Sequence, residues 1–172
     1  MPLSPVRIIL VEPAGPLNIG SIARAMKNFG LSQLVLVNPQ CDPMGAEAIQ
    51  MAVHAQDLLA KAHITQTLPE ALAGCQRAIA TTARPRELDD PLEPPEAALP
   101  WLIESPDIPT ALIFGREDRG LSNDELYYAQ RFVKVPTDEG YAALNLAQAV
   151  AICCYELARA TRSPVQALPA TP

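Results

Sequence analysis

The chain has 172 residues, 49% of them hydrophobic, and a formal net charge of −6. That length suits one domain with a well-buried core and is too short for two of ordinary size. No apolar run nears the roughly 18 residues of a membrane span, and no basic segment precedes an apolar stretch at the start, so a cytoplasmic, non-membrane protein is expected.

In chain order, Val6 to Val11 reads as a buried strand bounded by a Pro/Gly-rich turn. Ile19, Ile22, Ala23 and Met26 recur at helical spacing, and Gly30 supplies a C-terminal stop. Arg24, Lys27 and Asn28 fall on the face away from that stripe. Leu34 to Val37 is the second strand, a helix is expected through Ala46 to Ala60, and a short strand lies around Ile64. Thr67-Leu-Pro-Glu70 has the pattern of a capping box. Ala78 to Thr81 is strand-like. Residues 84 to 100 hold five prolines and five acids, which predicts a loop, with a helical turn or two near Ala97 to Glu104.

Thr110 to Phe114 is the next strand, Ser122-Asn-Asp-Glu125 caps the helix after it, and Phe132 to Val135 is the last strand. Leu144 to Arg159 reads as a long terminal helix, apolar around much of its circumference. A helix of that kind in a small domain is expected to pack both on its own sheet and on a second subunit. The alternation of strands and helices predicts an α/β domain over residues 1–162 with a mostly parallel sheet flanked by helices. Residues 163–172, with three prolines and two alanines, read as a tail or linker to a further segment.

The four cysteines form no C-x-x-C pair, and only His54 and His63 could join them as imidazole ligands, so reduced thiols and no metal site are expected. The acidic balance argues against indiscriminate nucleic-acid binding. Yet six of the 13 basic residues, Arg24, Lys27, Arg84, Arg86, Arg116 and Arg119, lie in or just after strand-to-helix junctions. Such a local basic rim suits a selective anionic partner, although solvated loop arginines would look the same.

Three polar clusters follow aliphatic runs: Pro16-Leu17-Asn18-Ile19-Gly20 leading to Arg24, Phe114-Gly115-Arg116-Glu117 with Gly120-Leu121, and Leu144-Asn145-Leu146. A dinucleotide site would need G-x-G-x-x-G after the first strand and an acid ending the second, whereas the second strand here ends in Asn38-Pro39. The first cluster instead joins a stiff entry, a glycine that lets another backbone or a substrate pass, and an arginine suited to bidentate phosphate recognition. Glycine after the strand that ends at Phe114 frees that strand's C-terminal edge, the usual ligand position in open α/β sheets. The small residues before the terminal helix leave its N–H groups accessible. Each cluster alone also fits an ordinary helix start, a surface ion pair or close helix packing.

In this order and at these positions, the three clusters resemble motifs 1, 2 and 3 of the SpoU (TrmH) class of the SPOUT RNA 2′-O-methyltransferases. Over about residues 5 to 160 the chain is most similar to the bacterial tRNA (cytidine/uridine-2′-O)-methyltransferases of the TrmJ type. The resemblance implies a C-terminal deep trefoil knot, a homodimer through the terminal helix, and S-adenosyl-L-methionine (SAM) as methyl donor, giving S-adenosylhomocysteine. It assigns the cofactor to Thr81, Thr82 and Ala83, then Gly115, Val135, Ala142, Ala143 and Leu144. Val135 and Leu144 would flank the adenine, and Gly115 would leave room beside the ligand.

It carries Arg24 over as the residue acting on the ribose hydroxyl, with Asn18, Glu117 and Asn145 holding the site. An arginine is a poor general base, so phosphate grip and polarisation of the hydroxyl are the expected role. The six basic residues of the rim would hold the RNA. The implied substrate is tRNA, at pyrimidine 32 of the anticodon loop. The same chemistry on another tRNA position or on rRNA is the alternative. Many relatives carry serine where this chain has Ala143, which keeps a non-catalytic SAM- or RNA-binding protein in view as a reading of a different class.

Overall fold

The computed structural model describes residues 3–82 and 91–162. Seven parallel strands form one sheet in the order β3-β2-β1-β6-β4-β7-β5: β1 Val6–Val11, β2 Gln33–Val37, β3 His63–Thr65, β4 Arg77–Thr81, β5 Leu92–Glu93, β6 Thr110–Phe114 and β7 Arg131–Val133. β1 lies between β2 and β6, with Ile9 opposite both Val35 and Ile113. A parallel sheet covered on both faces needs strands apolar on both sides, which explains the unbroken runs Ile8-Ile-Leu-Val11 and Ala111-Leu-Ile-Phe114.

Alternate residues of each strand feed two cores. Ile8, Leu10, Leu36, Ile79, Leu112 and Phe114 pack on one face with residues of α1 (Pro16–Asn28), α2 (Ala46–Ala52), α3 (Gln56–Ala60) and α7 (Leu146–Thr161). Ile9, Val11, Val35, Val37, Ala80 and Ile113 pack on the other with α4 (Leu68–Ala71) and α6 (Asn123–Leu126). Cys153 and Cys154 lie in the first core, where burial pushes the Cys153 thiol up to about 12 and the Cys154 thiol higher still. Among the described residues no helix is long and apolar enough to cross a membrane.

Several elements differ from expectation. The helix expected over Ala46 to Ala60 is two helices, broken at Val53, which adopts φ +54°. Such a conformation is costly for a β-branched residue, and the break is braced from outside: Lys27 Nζ donates to the His54 carbonyl (3.0 Å) and to Asp57 (2.9 Å). The reversal lets Ala52 on one side and Leu58 and Leu59 on the other all reach the core.

Within the proline-rich stretch, Leu92–Glu93 forms a short edge strand on β7, followed by α5 (Pro95–Ala98) and a 3-10 helix, Leu99–Ile103. This segment is clamped by Arg131, which pairs with Glu93 (2.5 and 2.8 Å) and, with Arg77, lies over the Trp101 ring. Thr67 caps α4 by accepting from the Glu70 N–H, but the Glu70 carboxylate accepts from the Gln66 N–H, one residue short of the capping-box partner. The full reciprocal box occurs at α6, between Ser122 and Glu125. The last strand ends at Val133, two residues early, and α7 begins at Leu146, with Asn145 as its cap.

Candidate active site

β6, β4 and β7 are neighbours in the sheet, and the chain leaving their C-terminal ends encloses a cavity of about 310 Å³. Thr81 and Thr82 enter it from β4, residues 115–121 from the loop after β6, and Val135 from the segment after β7. Ala142, Ala143 and Leu144, from the approach to α7, complete the wall with Leu146. Seven of the eight residues assigned to a cofactor therefore line one space, and the eighth, Ala83, lies outside the described residues. The Thr81 hydroxyl donates to the Ile113 carbonyl (3.0 Å) and the Thr82 N–H to the Val133 carbonyl (2.9 Å), so β4 is fastened to both neighbours at the cavity edge.

The loop after β6 folds back sharply. Gly120 N–H donates to the Arg116 carbonyl (2.8 Å), and Gly120 itself has φ +69°. A Cβ on Gly115 would overlap the backbone of Gly120 and Leu121. Gly115 is thus required by the loop's own backbone crossing it, a different reason from the expected clearance for a ligand. Gly20 plays a similar part in α1, where a Cβ would overlap the Ala48 carbonyl oxygen and crowd Met51 of α2.

Glu117 leaves this loop to grip the start of α1. Its carboxylate accepts from the N–H groups of Ala14 (3.1 Å) and Gly15 (2.9 Å) and from Asn18 Nδ2 (3.5 Å). Burial works to raise its pKa, but the Ala14, Glu117 and Gly15 N–H groups and the Asn18 amide outweigh it and hold the carboxyl below the ordinary carboxylate value. Asn18 Oδ1 in turn accepts from Asn145 Nδ2 (3.2 Å), and Asn145 Oδ1 accepts from the Ala147 and Gln148 N–H groups at the start of α7 (2.9 and 3.4 Å). One hydrogen-bonded chain therefore runs through Glu117, Asn18 and Asn145 and ties the three sequence clusters together.

A carboxylate with a depressed pKa stabilises the fold fully above its unfolded value and loses that contribution as pH falls through the folded one. Thermal unfolding followed between pH about 6 and about 3 should therefore show wild-type stability falling on the acid side. Glu117→Gln should give a shallower fall. Parallel curves for the two proteins would mean that Glu117 does not link the clusters as a charged group.

The basic residues divide. Arg24 is exposed on α1, is not among the residues lining the cavity, and makes no hydrogen bond or ion pair among the described residues. Lys27 is committed to the α2–α3 break. Arg116 lines the cavity and is ion-paired, with its Nε 2.8 Å from Asp118 and its Nη1 3.8 Å from Glu12. Arg119 also lines the cavity and bonds to Glu12, Glu125 and the Gly120 carbonyl, each at 3.0 Å. Arg84 and Arg86 lie outside the described residues. Sequence reasoning passed over Lys134 in the cavity wall and Glu12 behind it, and named Leu121 and Leu146 only as members of the clusters. The only sequence signal of Lys134 and Glu12 is position, just after a strand.

Residues 5–155 match the model of the SpoU rRNA methylase family. Over 156 residues the chain is 46% identical to the tRNA (cytidine/uridine-2′-O-)-methyltransferase TrmJ of Escherichia coli K12, a match covering 90% of this chain and 63% of that protein. The chain thus spans less than two thirds of that relative's length. Among solved structures it is similar to a methylase family protein from Neisseria gonorrhoeae (TM-score 0.87, 36% identity, 99% of this chain and 89% of that one). It is also similar to TrmJ from Z. mobilis ZM4 (TM-score 0.84, 37% identity, 93% and 71%). A parallel α/β sheet whose strand ends carry the three clusters, together with a family match over nearly the whole described chain, leads to one conclusion: this chain belongs to the SpoU rRNA methylase family.

Proposed function

We propose that the chain binds SAM in the cavity at the ends of β4, β6 and β7 and transfers its methyl group to a ribose 2′-hydroxyl of tRNA, at pyrimidine 32 of the anticodon loop. The observation that carries this reading is the bond from Asn145 to Asn18, which joins clusters 127 positions apart beside that cavity. The residues present fit such a cofactor. The cavity has the size of a small-molecule site, and Val135, Leu144 and Leu146 offer apolar walls. SAM, when bound there, supplies a methyl group on a sulfonium, open to attack by an oxygen nucleophile.

The protein's own part is positioning. Thr81, Thr82, Gly115, Val135, Ala142, Ala143 and Leu144 hold the cofactor, with Ala83 assigned beside them. Asn18, Glu117 and Asn145 fix the cavity against the start of α1, so that the reacting atoms meet at near-attack distance. Arg24 grips the phosphate next to the target ribose and polarises its hydroxyl, whose proton passes to that phosphate or to water. Its lack of a partner among the described residues suits a residue reserved for RNA. Arg116, Arg84 and Arg86 would extend the basic rim.

Leu17 of α1 and Ile152 and Tyr155 of α7 are large apolar residues left exposed on neighbouring helices (51%, 37% and 46%). We assign this face to a homodimer. Arg24 lies seven residues after Leu17, on the same side of α1, so a second copy there would bring Arg24 into the interface. The trefoil knot implied by the family resemblance forms part of the same proposal.

Calorimetry with S-adenosylhomocysteine, followed by incubation with SAM with and without tRNA, tests this reading. Uptake of the cofactor alone, with consumption of SAM only when tRNA is present, is expected. Uptake with no consumption would favour a non-catalytic binding protein, and consumption only with rRNA would move the substrate.

A further inference from the structure

Glu12 and Arg119 form a half-buried link behind the cavity that the proposed chemistry does not use. Glu12 directly follows β1 in a left-handed conformation (φ +50°), with its N–H donating to the Val37 carbonyl (2.8 Å). Asn38, which directly follows β2, is also left-handed (φ +44°), and its Nδ2 donates to Glu12 Oε1 (3.3 Å). Two adjacent non-glycine residues with positive φ are uncommon, and they persist only where surrounding contacts over-determine them.

The other carboxylate oxygen faces the cavity loop. Glu12 Oε2 accepts from Arg119 Nη2 (3.0 Å) and lies 3.8 Å from Arg116 Nη1. Arg119 reaches onward to Glu125 Oε1 and to the Gly120 carbonyl, and Glu125 also accepts from the Ser122 N–H (2.8 Å) in the capping box of α6. A single arginine therefore connects the end of β1, the turn at Gly120 and the start of α6. Gly115, Arg116, Gly120 and Leu121, which lie between these anchors, are wall residues of the cavity, whereas Glu12 does not touch it.

We propose that Glu12 is a positioning residue for the cofactor cavity, acting through Arg119, and that Arg119 serves as an internal bolt of the cavity loop in place of the phosphate grip expected from its charge. This inference rests on the reading of the cavity as a SAM site. Loss of the Glu12 charge leaves Arg119 without one of its two carboxylates and Arg116 without its more distant one, so the loop loses its fixed register against β1.

The test is calorimetric titration of S-adenosylhomocysteine, with no RNA present, into the wild type, Glu12→Gln, Arg119→Gln and the double variant. Each single change should weaken binding about tenfold, and the double variant should be no weaker than the worse single, because both remove the same contact. Steady-state assays of Glu12→Gln should show a raised KM for SAM with kcat within about threefold of wild type, a split that general loss of folded protein would not give. Affinity for cofactor-free tRNA should be unchanged in Arg119→Gln.

Wild-type affinity for S-adenosylhomocysteine in either single variant would overturn the pairing, as would a double variant whose loss equals the product of the singles. Arg119→Gln weakening tRNA binding but not cofactor binding would overturn the bolt and restore the phosphate grip. If Glu12→Gln does not fold, Arg119→Gln alone decides, through its cofactor and tRNA affinities. Failure of the wild type to take up S-adenosylhomocysteine would overturn the SAM reading and this pairing together, which separates the two kinds of failure.

Discussion

Replacing Gly115 by valine should reduce affinity for S-adenosylhomocysteine by about a hundredfold or more, the size expected when overpacking of a few kcal/mol falls on the loop that builds the cavity. The atoms in the way are the backbone of Gly120 and Leu121, which cannot rotate aside as a flexible side chain could. Residues 115–121 must therefore open, and with them go Arg116 and the Glu117 grip on Ala14 and Gly15. The strands beneath should survive, because Leu112 and Phe114 pack in a core that holds no residue of that loop.

Gly30→Ala makes the matched control. Gly30 has φ +81° but nothing within 4 Å of an added Cβ, so alanine there should cost about 1 kcal/mol of stability and leave cofactor affinity alone. Calorimetry and thermal unfolding on both variants check this. Unchanged affinity in Gly115→Val would mean that the cavity is not the cofactor site.

The second large effect is expected at Arg24. Arg24→Lys should lower kcat for tRNA methylation on the order of a hundredfold, comparable to losing one donor to a developing charge. A lysine keeps the charge but not the planar, bidentate fork. Because Arg24 does not line its own chain's cavity, S-adenosylhomocysteine affinity should stay within about twofold of wild type. Near-wild-type turnover in the lysine variant would remove the bidentate grip from the mechanism. A parallel loss of cofactor affinity would place Arg24 in the cofactor pocket.

Much of the architecture was legible because burial leaves a simple trace. β1 and β6 matched their expected bounds, since a strand covered on both faces is an unbroken aliphatic run with a turn at each end. The break at Val53 was not legible, because the apolar period continues across it and the conformation is held by Lys27 from another helix. The edge strand Leu92–Glu93 was hidden among prolines and exists only through pairing with β7 and the Arg131 clamp.

The three clusters could be named from residue type and order, but not their geometry. Asn18 is 99 positions from Glu117 and 127 from Asn145, and no local pattern encodes those bonds. Gly115 was singled out for clearance beside a ligand, whereas the fold needs glycine there because the loop's own backbone crosses it. Glu12 was passed over because its importance lies in two arginines more than 100 positions away.

Transfer of a labelled methyl group from SAM to total tRNA, with the labelled nucleotide mapped after digestion, tests the central claim most directly. The account predicts label on a ribose 2′-oxygen, at a pyrimidine of the anticodon loop, and none with Arg24→Lys beyond about a hundredth of the wild-type rate. Label on a base, or cofactor binding with no label in any RNA, would contradict it.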